Sequence, residues 1–378
     1  MSTLRIGLFM NLRKTKGRQL LVGIHEELAR WPDVRTEDIP YHLRLWGDDP
    51  FGGLDGALAE FDKYDQAKPF WELPIPVINI SDALPTVRFP KSIMEDARVG
   101  LMAAGHLLER GYEHFICLGS DGHVAAERRT NAFLDYLRQK GHSPTCLQGW
   151  FMPDNVLADA LRRELQSANA ATGVFAWNDT FGLNAVRIAR SAGKRIPEEV
   201  GVIGAGNDDL LTAISPVPLS SIQMDWKSVG RAAVQMLAKA LAGEPVTDAQ
   251  SDRCELVMRA STERYPVSDS RVARCLALIE RDLGGDLSIP TLARRVGCSR
   301  SSLEGHFKRE LGQTTARYIL ERRIKRARRL LRETGLRIYE IATASGFEDA
   351  NYFAAAFKRL TGTSPSAYRD SVTEPAGD

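Results

Sequence analysis

The sequence predicts an α/β region over residues 1–265, followed by an all-α domain over 271–370 that carries two helix-turn-helix motifs. Three observations predict it. Short apolar runs alternate with amphipathic stretches in the front part. A repeat offset by about fifty positions occupies the last hundred residues. Finally, the charge is unevenly divided: residues 271–378 hold 20 Lys+Arg against 13 Asp+Glu, leaving 30 against 35 for residues 1–270.

In the front part, Leu4 to Phe9 reads as a strand and Gly17 to Arg30 as the helix that follows. Further strands are expected at Gly56–Phe61, Pro76–Ile80, His114–Leu118, Gly173–Ala176 and Val200–Ile203, with a last one near Glu255–Ala260. Helices fit Ala97–Arg110, Ala125–Lys140, Val156–Ala168, Asn178–Ala192 and Trp226–Ala242. Such alternation predicts parallel sheets covered by helices on both faces, with ligands at the carboxyl ends of the strands.

The repeat pairs Ala293-Arg-Arg-Val-Gly297 with Ala342-Thr-Ala-Ser-Gly346. It pairs Leu303 and Phe307 with Phe353 and Phe357, Lys308-Arg309 with Lys358-Arg359, and Gly312 with Gly362. In each unit a small residue lets two helices approach, and the glycine supplies a left-handed turn. Ser299 and the Glu348-Asp349 pair are placed to cap a second helix. Its aromatic and Leu positions, spaced i, i+4, face the core. The opposite face carries Arg300, Ser301, Ser302, Glu304 and His306 in one unit, and Asn351, Tyr352 and Ala354 to Ala356 in the other. A helix of this kind enters the major groove, and cations such as Lys308, Lys358 and Arg359 meet phosphates. Between the units, Arg322, Arg323, Lys325, Arg326, Arg328, Arg329 and Arg332 crowd a helix whose buried stripe is Ile324, Ala327, Leu330 and Leu331. Double-stranded DNA is the partner this pattern implies, and the basic charge is confined to that end.

Composition is that of a soluble globular chain, 43% hydrophobic and 26% charged, which excludes a disordered or membrane-embedded protein. Neither a membrane-spanning run nor an export signal is expected, so the cytoplasm is the expected location. Cys117, Cys146, Cys254, Cys275 and Cys298 form no C-x-x-C pair or metal cluster and read as reduced thiols. No nucleotide fingerprint, P-loop or G-x-S-x-G elbow is present, so no cofactor, metal or catalytic residue is expected. The six tryptophans (Trp31, Trp46, Trp71, Trp150, Trp177, Trp226) read mainly as core, with Trp177 the best placed to stack on a sugar.

Residues 271–370, and above all Ile341 to Arg359 with Gly362-Thr-Ser-Pro-Ser-Ala-Tyr-Arg369, resemble the AraC/XylS family of transcription regulators. The resemblance implies two helix-turn-helix subdomains, at about 289–310 and 338–360, joined by a linker helix. It carries base reading to Ser301, Glu304 and Gly305, and to Asn351, Tyr352 and Ala355. Gly305 and Ala355 depart from the polar residues usual there, which leaves Asn351 most of the second half's base contact. The front part resembles the sensor domains of the LacI/GalR family. The matching segments are Arg195-Ile-Pro-Glu-Glu-Val-Gly-Val-Ile-Gly204, Leu219-Ser-Ser-Ile222, Val229-Gly-Arg-Ala-Ala, Glu127-Arg-Arg-Thr-Asn-Ala-Phe133 and Phe175-Ala-Trp-Asn-Asp179. It implies a two-lobed, periplasmic-binding-protein-like fold closing on a small molecule, usually a sugar. The order of the two parts is similar to that of xylose operon regulators.

Carried over by this resemblance, the ligand site is Arg18, Asp96, Arg129, Trp177, Asn178 and Asp208. Arg129 and Asp96 would hydrogen-bond sugar hydroxyls. Gly206 stands where the family has an acid, with Asp208 or Asp209 as substitutes. The resemblance further implies a homodimer and, for an activator, contact with RNA polymerase. A ligand-independent architectural DNA binder and a sugar-converting enzyme fused to a DNA reader are the alternatives. The domain boundary is expected near Arg264 to Arg271, and residues 371–378 read as a disordered tail.

Overall fold

The computed structural model describes residues 3–41, 51–84, 86–149 and 156–373, so Trp46 and Trp150 lie outside it. It divides into two units, Met1–Arg264 and Tyr265–Asp378.

The first unit begins β1 (Leu4–Phe9), α1 (Thr15–Leu28), β2 (Val34–Asp38), β3 (Gly56–Ala59), α2 (Tyr64–Ala67), β4 (Val77–Asn79) and β5 (Ser92–Met94). It continues α3 (Asp96–Glu109), β6 (His114–Gly119), α4 (Val124–Gln139), β7 (Thr145–Gln148), α5 (Val156–Ser167), β8 (Thr172–Ala176), α6 (Asp179–Ser191) and β9 (Val200–Ala205). Then come α7 (Asp209–Ile214), β10 (Ser220–Met224), α8 (Trp226–Leu241), β11 (Ala249–Ser251) and β12 (Cys254–Val257). One parallel sheet, ordered β2-β1-β3-β4, forms the first lobe; the second lobe is a six-stranded sheet ordered β12-β10-β9-β8-β6-β7, with only β12 antiparallel.

Strand periodicity explains why both faces of the first sheet are covered. Ile6, Leu8, Leu58 and Ile78 point to the side packed by α1 and α8, with Leu20, Ile24 and Leu237. Phe9, Ala57, Ala59 and Val77 point to the other, against Ile39, Phe61 and Phe70. The chain passes between the lobes three times, at Met94–Asp96, Met224–Trp226 and Ser251–Cys254. The crossings are tied by Glu95 N donating to Ser251 O at 2.8 Å and Asp225 N to Arg253 O at 2.9 Å.

The elements expected from apolar runs are present, with ends moved by a few residues. The last strand ends at Val257, and a 3-10 turn at Ala260–Thr262 replaces its expected end. The unanticipated strands β2, β5, β7, β10 and β11 are short; β10, Ser-Ser-Ile-Gln-Met, lies inside the six-stranded sheet, but its serines and glutamine leave no apolar run. β2, β7 and β11 are polar or part-exposed and sit at sheet edges or in a two-stranded pair; β5 completes that pair.

The second unit is helical: α9 (Ser270–Arg281), α10 (Ile289–Val296), α11 (Arg300–Leu311), α12 (Thr315–Glu333), α13 (Ile338–Ala344), α14 (Ala350–Thr361) and α15 (Pro365–Thr373). α15 corrects the expected tail: Ser371 to Thr373 are helical, and residues 374–378 lie outside the described residues. There are two cores. Leu292, Leu303 and Phe307 build the first with α9; Ile341, Phe353 and Phe357 build the second. α12 serves both, giving Ile319 to the first and Ile324, Ala327 and Leu331 to the second. The caps are those the sequence suggests: Ser299 accepts from Ser302 N, and Asp349 from Tyr352 N.

Arg323 of α12 joins the two halves. Its Nε donates to Leu283 O at 3.0 Å, and its guanidinium lies 6.0 Å from the Phe347 ring. The turn glycines differ accordingly. Gly297 (φ +79) has open space around it, whereas a Cβ on Gly346 (φ +88) would lie 2.2 Å from Leu283 O. Gly346→Ala should therefore destabilise the second unit by more than the roughly 1–3 kcal/mol of a strained left-handed residue, and Gly297→Ala only by that amount. Thermal melts of the two variants check this; equal losses would contradict the close approach at Gly346.

Candidate ligand cleft and nucleic-acid interface

A cavity of about 310 Å³ opens between the lobes of the first unit, at the carboxyl ends of β1, β3, β4, β6, β8 and β9. Of the residues expected there, Asp96, Arg129, Trp177, Asn178 and Asp208 line it. Arg18 does not, which corrects that expectation. It is exposed at the start of α1, where its guanidinium turns back to Arg13 O at 2.9 Å, Leu12 O at 3.2 Å and Thr15 Oγ1 at 2.9 Å.

Asp96 and Arg129 are engaged with each other rather than open. Arg129 Nε donates to Asp96 Oδ1 at 2.6 Å, Nη1 to Trp177 O at 3.0 Å, and Nη2 to the Met224 sulfur at 3.2 Å. Their side chains are 6% and 2% exposed, so this pair is the floor of the cleft at the crossings. Asn178 caps α6 by accepting from Phe181 N at 2.9 Å, leaving its amide NH2 as the group able to meet a ligand. Asp208 caps α7 and accepts from Thr15 Oγ1 of the other lobe at 2.6 Å. Those hydrogen bonds outweigh its burial and hold its carboxyl below the usual range. Gly206, at φ +125, leaves the space beside Asp179; there Asp179 accepts from Asp208 N at 2.7 Å and Ser221 Oγ at 2.5 Å.

Residue-by-residue reading missed much of the wall. Lys14, Lys16, Glu60, Asp62, Asp82, His123 and Trp226 also line the cavity. They come from loops and helix starts and carry no spacing signal; only their position just after strands β1, β3, β4, β6 and β10 could have marked them. Lys16 pairs with Glu60 at 2.9 Å and Lys14 with Asp62 at 3.2 Å. Burial alone would lower the Lys16 ammonium, but Glu60, Asp62 and Asp96 outweigh it and hold its pKa above the usual value. Asp82 reaches across the cleft to Arg128 of α4. Burial, then Arg129 and Lys16, push His123 below the usual imidazole value, so its ring is neutral near pH 7. Its centroid lies 4.7 Å from that of Trp177, whose ring is thus partly covered rather than free to stack on a ligand.

In the second unit, Arg300, Ser301, Lys308, Asn351, Tyr352, Lys358 and Arg359 are exposed on α11 and α14, while Ser302 and Glu304 are half-buried. Ala355 is exposed, but Ala356 is buried in the second core, correcting its assignment to the open face. The face holds because the buried positions of α14 are Phe353, Ala356 and Phe357, an i, i+3, i+4 stripe. His306 is held from behind by Asp269 at 2.6 Å and is not an open contact. Of the basic residues on α12, Arg322 is tied to Glu280 and Arg323 to Leu283, so these two act within the fold.

Residues 104–262 match the periplasmic binding protein-like domain family, and residues 292–371 a helix-turn-helix domain family. The chain is 27% identical to the xylose operon regulatory protein of Escherichia coli strain K12, over 98% of both chains. It is 26% identical to the protein of that name from Haemophilus influenzae, over 97% of this chain and 98% of that one. Among solved structures, the xylose-binding transcription activator xylR is 25% identical and superposes with a TM-score of 0.63, covering 99% of this chain and 100% of that one. A LacI family regulator from Enterococcus faecium with bound ribose shares the fold of the first unit, with a TM-score of 0.56 at 20% identity over 70% of this chain and all of that one. The full-length relatives are transcription regulators, not enzymes. No helix among the described residues is long and apolar enough to cross a membrane. The chain is a xylose operon regulator-like DNA-binding transcription regulator, in which a two-lobed periplasmic binding protein-like domain precedes two helix-turn-helix motifs.

Proposed function

We propose that the chain is a cytoplasmic sensor of an uncharged, xylose-like sugar that controls sugar-catabolic genes as a homodimer. The observation that carries the ligand class is the charge state of the cleft. Its lining cations Lys14, Lys16 and Arg129 are each paired with a carboxylate, Asp82 is paired with Arg128, and Asp179 and Asp208 add further carboxyl oxygens. Among the described residues no lining cation is left over for a ligand carboxylate or phosphate, whereas carboxylates and amides suit hydroxyls. The relatives' names supply the pentose. Sugar binding favours one apposition of the lobes, and in a dimer that biases how four helix-turn-helix motifs meet successive major grooves. If the outcome is activation, RNA polymerase is the further partner.

On the DNA side, Arg300, Ser301, Ser302, Glu304, Asn351 and Tyr352 read bases, and Lys308, Lys358 and Arg359 hold phosphates. Support comes from their placement along α11 and α14, most of them exposed.

Two measurements test the reading. In a thermal-shift panel on the full chain, a pentose at about 100 times its Kd stabilises the first unit by roughly 2.7 kcal/mol, and sugar acids and sugar phosphates do not. Stabilisation by the anionic sugars alone would overturn the ligand class. Arg300→Ala and Lys308→Ala each weaken DNA binding, and loss of a phosphate contact flattens the salt slope by about one unit. Unchanged affinity and slope would remove the residue concerned from the interface.

A further inference from the structure

Three residues on the cleft wall each hold a polar atom that is closed off from solvent and has no hydrogen-bond partner among the described residues. The atoms are Asp82 Oδ1, His123 Nδ1 and Trp177 Nε1. An orphaned buried donor or acceptor is costly, and three around one cavity call for a state in which they are paired.

Asp82 differs from the other two because its second oxygen is engaged. It follows β4 in the first lobe and is 7% exposed, and its Oδ2 accepts from Nη1 of Arg128, on α4 of the second lobe. One carboxylate thus faces two ways, to the opposite lobe through Oδ2 and toward an unmet hydrogen bond through Oδ1.

We propose that Asp82 is a specificity-determining residue that accepts a hydrogen bond from a hydroxyl of the bound sugar through Oδ1, and through Oδ2 and Arg128 couples that recognition to the apposition of the lobes. The inference rests on the sugar-sensor reading of the cleft. Trp177 Nε1, a donor only, meets a second ligand oxygen, and neutral His123 completes the wall beside it. Because the three atoms are shielded in this conformation, binding turns the side chains around them. Burial disfavours the ionised form of Asp82, and a hydroxyl donating to Oδ1 favours it. The ionised form is the one Arg128 holds. Occupancy therefore strengthens the link between lobes, and by reciprocity the link strengthens binding.

The test uses the full chain and D-xylose, or the panel sugar that stabilises it most, with singly deoxygenated analogues, followed by tryptophan fluorescence. The wild type loses about 10- to 100-fold in affinity for one analogue, the range expected for a hydrogen bond to a charged group. Asp82→Asn loses a similar factor for the parent sugar and no longer distinguishes that analogue. Arg128→Gln, at a position that does not line the cavity, also weakens binding, and the double variant binds no more weakly than Asp82→Asn alone. Trp177→Phe, which keeps an aromatic ring without Nε1, loses discrimination at a different hydroxyl and serves if Asp82→Asn does not fold. Asp82→Asn that binds and discriminates like wild type, losses that multiply in the double variant, or Trp177→Phe with wild-type discrimination would overturn the proposal. A wild type that answers to no sugar would instead sink the sensor reading on which it rests.

Discussion

The first unit is organised around one buried guanidinium. Arg129, from α4 in the second lobe, pairs with Asp96 where the chain first crosses between lobes. It also bonds Trp177 O after β8 and touches Met224 at the second crossing. Four segments thus converge on a single charge. Close packing makes this possible: a Cβ on Gly100 would sit 2.0 Å from Arg129 O, so only glycine lets α3 and α4 approach there. Breaking such a buried pair leaves its partner charged and alone, at a cost of about 3–5 kcal/mol. Arg129 is accordingly a structural element of the cleft floor, and any ligand contact it makes uses the N–H groups left over.

Above that floor the lobes are joined by polar contacts that a small ligand can bias. Thr15 to Asp208 and Arg128 to Asp82 both cross the cleft from lobe to lobe. Contacts of this kind carry modest free energy, which suits a switch: a ligand shifts an equilibrium only by its differential affinity for the two states. The second unit has the opposite character. Its two helix-turn-helix cores are bound through α12, with Arg323 and the tight approach at Gly346 fixing one half on the other. A rigid pair of recognition helices can sample two grooves only at a set spacing.

Much of this was legible in the sequence, for identifiable reasons. Strands β1, β6, β8 and β9 are apolar runs buried on both faces, and α14 shows its core stripe directly in Phe353 and Phe357. Short edge strands such as β2, Val-Arg-Thr-Glu-Asp, have no apolar alternation and could not be seen. For the cleft, motif resemblance brought together Asp96, Arg129, Trp177, Asn178 and Asp208, but it could not say which of them are spent on one another. Arg18 failed because a long side chain at a helix start can satisfy its donors on its own loop. Asp82 and His123 are single residues in unrelated loops and Lys16 stands in the first turn of α1, and only the fold makes them neighbours. Ala356 was misplaced because an alanine run hides which member faces the core.

Under the proposed function, a small molecule bound by the first unit changes DNA reading by the second. The most direct test is fluorescence anisotropy of the full chain on a duplex selected from a random pool, titrated with and without saturating sugar. A coupling of 1–3 kcal/mol, about 5- to 150-fold in affinity, is the result expected. Identical DNA affinity at a sugar concentration shown to saturate the cleft would contradict it.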